Sequence, residues 1–144
     1  MTKSVLGIIG GGQLGSMLST AAKKLDIKTI IFSDDPDAPG QNFSDEFLCG
    51  KYSDKNLIDD FIKKVDLITY EFENIPYETL NEINKSKPVL PKPSINRIIQ
   101  HRLAEKDFIN KLNIRTTQYV SINSKSEIDA VQNFLPGILK TTTF

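Results

Sequence analysis

A few residues stand where their types and spacing could do chemistry. Gly10, Gly12 and Gly15 fill the pattern G-x-G-x-x-G within IIGGGQLGSML, residues 8–18. A loop without side chains turns tightly and lets a ligand approach the backbone, and the start of a following helix favours an anion. The same glycines also suit a tight turn with close helix–strand packing and no ligand, so the pattern alone leaves both readings open. Asp34 follows Gly15 by nineteen residues, about where a dinucleotide fold keeps an acid for a ribose hydroxyl. Glu71 and Glu73, in YEFEN, are two residues apart and on a strand would project the same way. A solvated strand end explains them equally well. Arg102 and Lys106 share a basic segment, and their spacing alone fits a solvated helix surface. Lys140 closes the apolar run Ile138-Leu139 and puts a point charge at a strand end.

These residues need elements to hold them. Val5 to Ile9 is a short continuous apolar run, which fits a strand buried on both faces of a parallel sheet. Leu14, Met17, Leu18, Ala21, Ala22 and Leu25 then recur at helical spacing, with Lys23 and Lys24 near the end of the helix they predict. Lys28 to Phe32 predicts a second strand, ending at Asp34 and Asp35. Phe47 to Cys49 predicts a weak third, with Cys49 a small buried apolar residue. Ser53 or Asp54 caps a helix carrying Leu57, Ile58, Phe61 and Ile62, and Val65 to Tyr70 predicts a fourth strand. Strands alternating with helices mean an α/β fold, a doubly wound parallel sheet with right-handed crossovers. Glu71 and Glu73 then fall at the carboxyl end of the fourth strand, where open α/β sheets bind ligands.

Three stretches disagree with a dehydrogenase, one of them TYEFENIP, residues 69–76, with its two acids at a strand end. In DDPDAPGQNFSDE, residues 34–46, two prolines and a glycine predict a loop where a ribose-binding acid is normally followed by a helix. Residues 87–114 open with a proline-rich link and continue as a basic helical segment. Composition narrows the classes further. The 144 residues are 39% hydrophobic and 25% charged, which suits one globular domain, or one and a piece of a second. Eighteen basic and eighteen acidic residues cancel, which argues against nucleic-acid binding by bulk charge. No apolar run is long enough for a bilayer, and the one at the N-terminus is too short for a signal peptide. One cysteine and one histidine rule out an intrachain disulfide and make no zinc site, and the expected compartment is the cytoplasm.

Taken in order, IIGGGQLGSML, DPDAPGQ, YEFENIP, HRLAEKDFINKLNI and ILKT resemble the N-terminal part of ATP-grasp enzymes of purine biosynthesis. Among these they are most similar to the 5-(carboxyamino)imidazole ribonucleotide synthase family, the ATPase subunit of phosphoribosylaminoimidazole carboxylase. The glycine loop alone is shared by several families. Its combination with YEFEN is far more specific, and the resemblance runs through essentially the whole chain.

The resemblance implies a Rossmann-like pre-ATP-grasp domain over residues 1–95 and, over 96–144, a linker helix and the first part of an ATP-grasp domain. It implies an enzyme, a ligase that uses ATP and bicarbonate, through carboxyphosphate, to carboxylate the amine of 5-aminoimidazole ribonucleotide. By the same resemblance the glycine loop holds the ribonucleotide rather than a dinucleotide. Gly12, Gln13, Leu14 and Glu71 match substrate positions, with Glu73 and Asn74 as weaker candidates. Arg102 and Lys140 match ATP contacts, and Asp34 and Asp35 become turn formers. His101 is read as a surface residue. Further elements are expected: a helix from about Ser94 to Leu112, a strand near Gln118 to Val120, a helix from Ser126 to Phe134, and the lysine strand. The family's glycine-rich phosphate loop, bicarbonate site and acidic ligands for the magnesium that accompanies ATP have no counterpart here. The chain is therefore expected to be an N-terminal fragment, inactive alone, with residues 115–144 poorly supported, from a protein commonly a homodimer. Two other readings remain, an NAD(P)-binding domain of an oxidoreductase and a non-catalytic ligand-binding module.

Overall fold

A computed structural model describes residues 4–143. Two parts of the sequence reading fall outside that range: the polar start of the N-terminal stretch, Met1 to Lys3, and the last residue, Phe144. Contacts divide the chain into two compact units, residues 1–97 and 98–144.

The first unit is built on a parallel sheet of β1 (Val5–Ile9), β2 (Lys28–Ser33), β3 (Glu46–Cys49) and β4 (Leu67–Tyr70) in the order β3-β2-β1-β4. Alternation along the strands feeds two faces. Ile9, Ile30 and Phe32 join the cluster beneath α2 (Lys55–Lys64), with Phe61, Ile58 and Val65. Gly7 leaves the room for it, since a Cβ there would stand 2.6 Å from the Phe61 ring. On the opposite face Ile31 meets α1 (Gln13–Lys24), where a Cβ on Gly15 would lie 3.7 Å from Ile31 Cδ1 and only 2.8 Å from the Gly10 carbonyl oxygen. The architecture is thus the doubly wound α/β sheet that the alternating pattern predicts.

α1 lies on the sheet by an unexpected face. Its buried residues are Gly15, Ser16, Ser19 and Ala22. Leu14, Met17 and Leu25, which mark the helix in the sequence, are more than half exposed. The glycine turn brings the helix start so close to the strand that only small residues fit between them.

Several boundaries shift for local reasons. Asp54 rather than Ser53 caps α2, its Oδ1 accepting the Asn56 and Leu57 N–H groups at 2.9 and 3.2 Å. Val65 is the buried C-cap of α2, so β4 starts at Leu67. Cys49 is exposed, not buried, because it ends a four-residue strand at the sheet edge. A helix missed in the sequence, α3 (Tyr77–Ile83), buries Thr79, Leu80 and Ile83, and beyond it Val89 bridges Ile68 in parallel. The Thr79-Leu80-Ile83 spacing was its available signal.

The single helix expected from Ser94 to Leu112 is two, α4 (Pro93–Ile99) and α5 (Arg102–Lys111). They are interrupted where His101 leaves helical geometry and caps α5, its Nδ1 accepting the Ala104 N–H at 3.3 Å. No strand forms at Gln118 to Val120 or around Lys140, and the helix expected over Ser126–Phe134 is replaced by 3-10 turns at Lys125–Glu127 and Asp129–Phe134. A strand exists only by pairing, and among the described residues none is a strand after Tyr70. No described residue after Asn96 is buried.

Candidate functional site

The strand order reverses between β1 and β4, the place where open α/β sheets form a ligand crevice at their carboxyl ends. The glycine loop leaves β1 there, and the 71–75 turn leaves β4 beside it. The Gly10 N–H donates to the Phe32 carbonyl at 2.8 Å and the Glu71 N–H to the Ile9 carbonyl at 3.1 Å. Backbone bonds therefore fix both loops to the sheet. The 71–75 turn is also held from its far end. Ile75 is fully buried, and its carbonyl accepts from the Nδ2 of Asn96, itself fully buried, at 2.9 Å.

Across the crevice the two loops touch. The Gly12 N–H donates to Glu71 Oε1 at 2.8 Å. Gly12 is the N-cap of α1 and has no side chain to cap with, and the first turn of α1 holds no acid. Glu71 thus supplies, from 59 residues away, the acceptor that a helix start needs. The glycines make space for it. A Cβ on Gly10, whose φ is +100°, would lie 2.5 Å from Glu71 Cγ, and one on Gly12 would lie 2.8 Å from Oε1.

The other side of the loop is covered by the segment after β2. Gly40 donates its N–H to the Gly11 carbonyl at 2.8 Å, and a Cβ on Gly11 would stand 2.8 Å from that of Ala38. Asp34 stands at the end of β2 in a bend, and between it and β3 the only helical piece is a short 3-10 turn, Pro39–Asn42. Tyr52 lies near Asp34. Its ring packs edge-on against Phe32, with centroids 5.4 Å apart. Its buried hydroxyl has Ser33 and Asp34 as neighbours, but neither meets hydrogen-bond geometry. Burial, and then the Asp34 charge, push the Tyr52 phenol up to about 12.

Of the sequence candidates, Gly12 and Glu71 meet directly. Gln13 and Leu14 follow in the first turn of α1, both exposed. Gln13 also borders an open groove of about 480 Å³ that runs along α1 to Lys24 and Phe43. Glu73 lies past the end of β4, inside the turn, so strand alternation does not align it with Glu71. Arg102 and Lys140 belong to the second unit, where the Arg102 N–H donates to the Thr142 carbonyl at 2.8 Å. That bond brings the start of α5 to a point two residues beyond Lys140. Sequence reasoning missed the covering role of Ala38 to Gly40 and the buried Tyr52. The APG triplet signalled a turn but not what it folds over.

A parallel sheet whose first glycine turn meets an acid just past the fourth strand is a Rossmann-like α/β fold. The chain belongs to the ribonucleotide synthetase pre-ATP-grasp domain family, whose model matches residues 1–100. Its relatives include the bifunctional purine synthesis protein purC/E of Dictyostelium discoideum, 38% identical over 97% of this chain and 14% of that protein. The N5-carboxyaminoimidazole ribonucleotide synthase of Staphylococcus haemolyticus is 34% identical over 94% of this chain and 37% of its own. The Staphylococcus aureus N5-carboxyaminoimidazole synthetase complexed with ADP superposes with a TM-score of 0.84 at 30% identity, covering 99% of this chain and 40% of that one. The Aspergillus clavatus enzyme in complex with ADP and 5-aminoimidazole ribonucleotide superposes at 0.78 with 25% identity, over 93% and 36%. The chain therefore spans about 37% of the length of the curated synthases it matches.

Proposed function

We propose that this chain contributes the ribonucleotide-binding part of an ATP-dependent ligase that carboxylates the amine of 5-aminoimidazole ribonucleotide. The observation that carries this reading is the pairing of Gly12 with Glu71 at the reversal point of the sheet. It gives a polar crevice in a family whose relatives are named for that ribonucleotide.

In the overall reaction bicarbonate attacks the terminal phosphorus of ATP and ADP leaves, forming carboxyphosphate. The exocyclic amine then takes the carboxyl carbon, and phosphate leaves. Bicarbonate is a poor electrophile until phosphorylated, so the reactants must be held together away from water. Within this chain the Gly12-Gln13-Leu14 turn positions the ribonucleotide. Gln13 offers both a donor and an acceptor to a sugar or base edge. Glu71 accepts a ribonucleotide donor with the carboxylate oxygen that Gly12 does not use, and Glu73 lies further along the same turn. Arg102 and Lys140 are assigned to ATP phosphates, the guanidinium by its planar paired donors and the ammonium as a point charge. Magnesium would neutralise the phosphate charge. No group of three or more His, Cys, Asp or Glu among the described residues offers it a site. No helix among the described residues is long and apolar enough to cross a membrane. A cytoplasmic location and a homodimeric assembly complete the proposal.

The test is a titration with 5-aminoimidazole ribonucleotide, followed by amide shifts. Shifts should cluster at Gly10 to Leu14 and Glu71, and Glu71→Ala should weaken binding at least about tenfold. Shifts produced by NADH at these amides, with none from the ribonucleotide, would replace this reading with the oxidoreductase one.

A further inference from the structure

We infer that Asn96 is a positioning residue for the crevice: its buried side-chain amide fixes the 71–75 turn from behind and so keeps Glu71 against Gly12. Asn96 lies on α4 and is fully buried. An amide offers donors on one side and acceptor lone pairs on the other. Here the donor side serves the Ile75 carbonyl at 2.9 Å, and Oδ1 has no hydrogen-bond partner among the described residues. A carbonyl only accepts, so it selects Nδ2 and decides which way round the amide lies. An unsatisfied buried oxygen costs free energy that a leucine of similar shape would not. Packing alone therefore gives no reason for an amide at this position. The bond to Ile75 does.

The place of that bond explains what it holds. Ile75 is fully buried, and Pro76, the N-cap of α3, follows it. Proline fixes its own φ and restricts the residue before it, so the link from Ile75 into α3 is stiff. α4 also grips the next residue, with the Arg97 guanidinium 5.2 Å from the centre of the Tyr77 ring. The turn thus has little slack at its far end. At its near end the Glu71 N–H is bonded to the Ile9 carbonyl at 3.1 Å. Only Phe72, Glu73 and Asn74 lie between these anchors. So short a span passes a shift of Ile75 on to Glu71, whose Oε1 meets the Gly12 N–H at 2.8 Å. The positioning stands on this geometry, and only its bearing on a ligand rests on the ribonucleotide site proposed above.

The experiment is amide hydrogen exchange on the whole chain, for the wild type, Asn96→Leu and Asn96→Ala, with folding checked by urea denaturation. Gly12 reports the contact with Glu71. Gly10 is the control, because its N–H bonds to the Phe32 carbonyl and not to the turn. In Asn96→Leu the Gly12 amide should exchange at least about tenfold faster relative to Gly10 than in the wild type. Asn96→Ala is read in the same way and decides the matter if leucine does not fit. Equal acceleration of Gly10 and Gly12, or of neither, in a folded variant would overturn the inference. Unfolding of both variants would assign Asn96 to stability alone and overturn it too. A titration with 5-aminoimidazole ribonucleotide then separates the two readings. A wild type that does not bind it fails the proposed function and leaves the exchange result standing. A wild type that binds it should lose affinity in Asn96→Leu, and equal affinity would deny Asn96 any part in binding.

Discussion

Tyr52 carries a phenol into the carboxyl edge of the sheet without giving it a hydrogen bond. Its neutral form is favoured, first by burial and then by the Asp34 charge, which raises it from 10.0 to about 12. A proton held more tightly in the folded state is a stability term. The term is complete below the ordinary value of 10.0 and is lost as pH rises toward about 12. Wild-type urea midpoints should therefore fall between pH 10 and 12, and Tyr52→Phe should flatten that fall. An equally steep decline in the variant would show that other groups cause it. At this scale the sequence was legible in part. Gly12 and Glu71 could be singled out, because glycine spacing and a strand-end acid leave a local mark. Their contact could not be foreseen from spacing, since it depends on which strands are neighbours. Cys49 was misread because burial in a strand depends on whether that strand lies at the edge.

Elements were legible where a continuous apolar run or a cap declared them. β1 and β2 read as buried strands, and Asp54 stands immediately before α2 with two N–H groups on its carboxylate. Asp54→Ala should cost about 1 kcal/mol in denaturant unfolding, the usual loss for such a cap. Asp54→Ser should recover most of it, and equal stability of alanine and wild type would deny the cap its role. The orientation of α1 was hidden. Its apolar row suggests a buried face, but the tight turn at Gly15 admits only the Gly-Ser-Ala face against the sheet. The strands expected near Gln118 and Lys140 have the right composition and no partner. Composition selects a strand only when another strand accepts its hydrogen bonds.

At the scale of the whole chain, burial is unevenly shared. Every buried side chain among the described residues lies at or before Asn96, and the fully buried ones, such as Phe32, Phe61, Ile68 and Val89, belong to the first unit. Segments with few buried contacts open at low free-energy cost. Limited proteolysis should therefore cut first after residue 98 and leave a resistant product close to residues 1–97 in mass. Cleavage that begins within β1 to β4, or uniform resistance, would contradict this. The resemblance implied a boundary near residue 95, beside the proline-rich link at 87–93. It could not show that the following segment lacks a core of its own, since its leucines and isoleucines look like core residues on paper.

The bond between Gly12 and Glu71 also sets a schedule. Its two ends are 59 residues apart, so the loop is synthesised well before its acid. At ordinary elongation speeds that interval is roughly 3–12 s. Throughout it the Gly12 N–H, at the N-cap of α1, lacks its carboxylate acceptor. The contact across the crevice is thus completed only after β4 has been made. A nascent chain stalled before residue 71 would carry β1, α1 and β2 with an unfinished glycine turn.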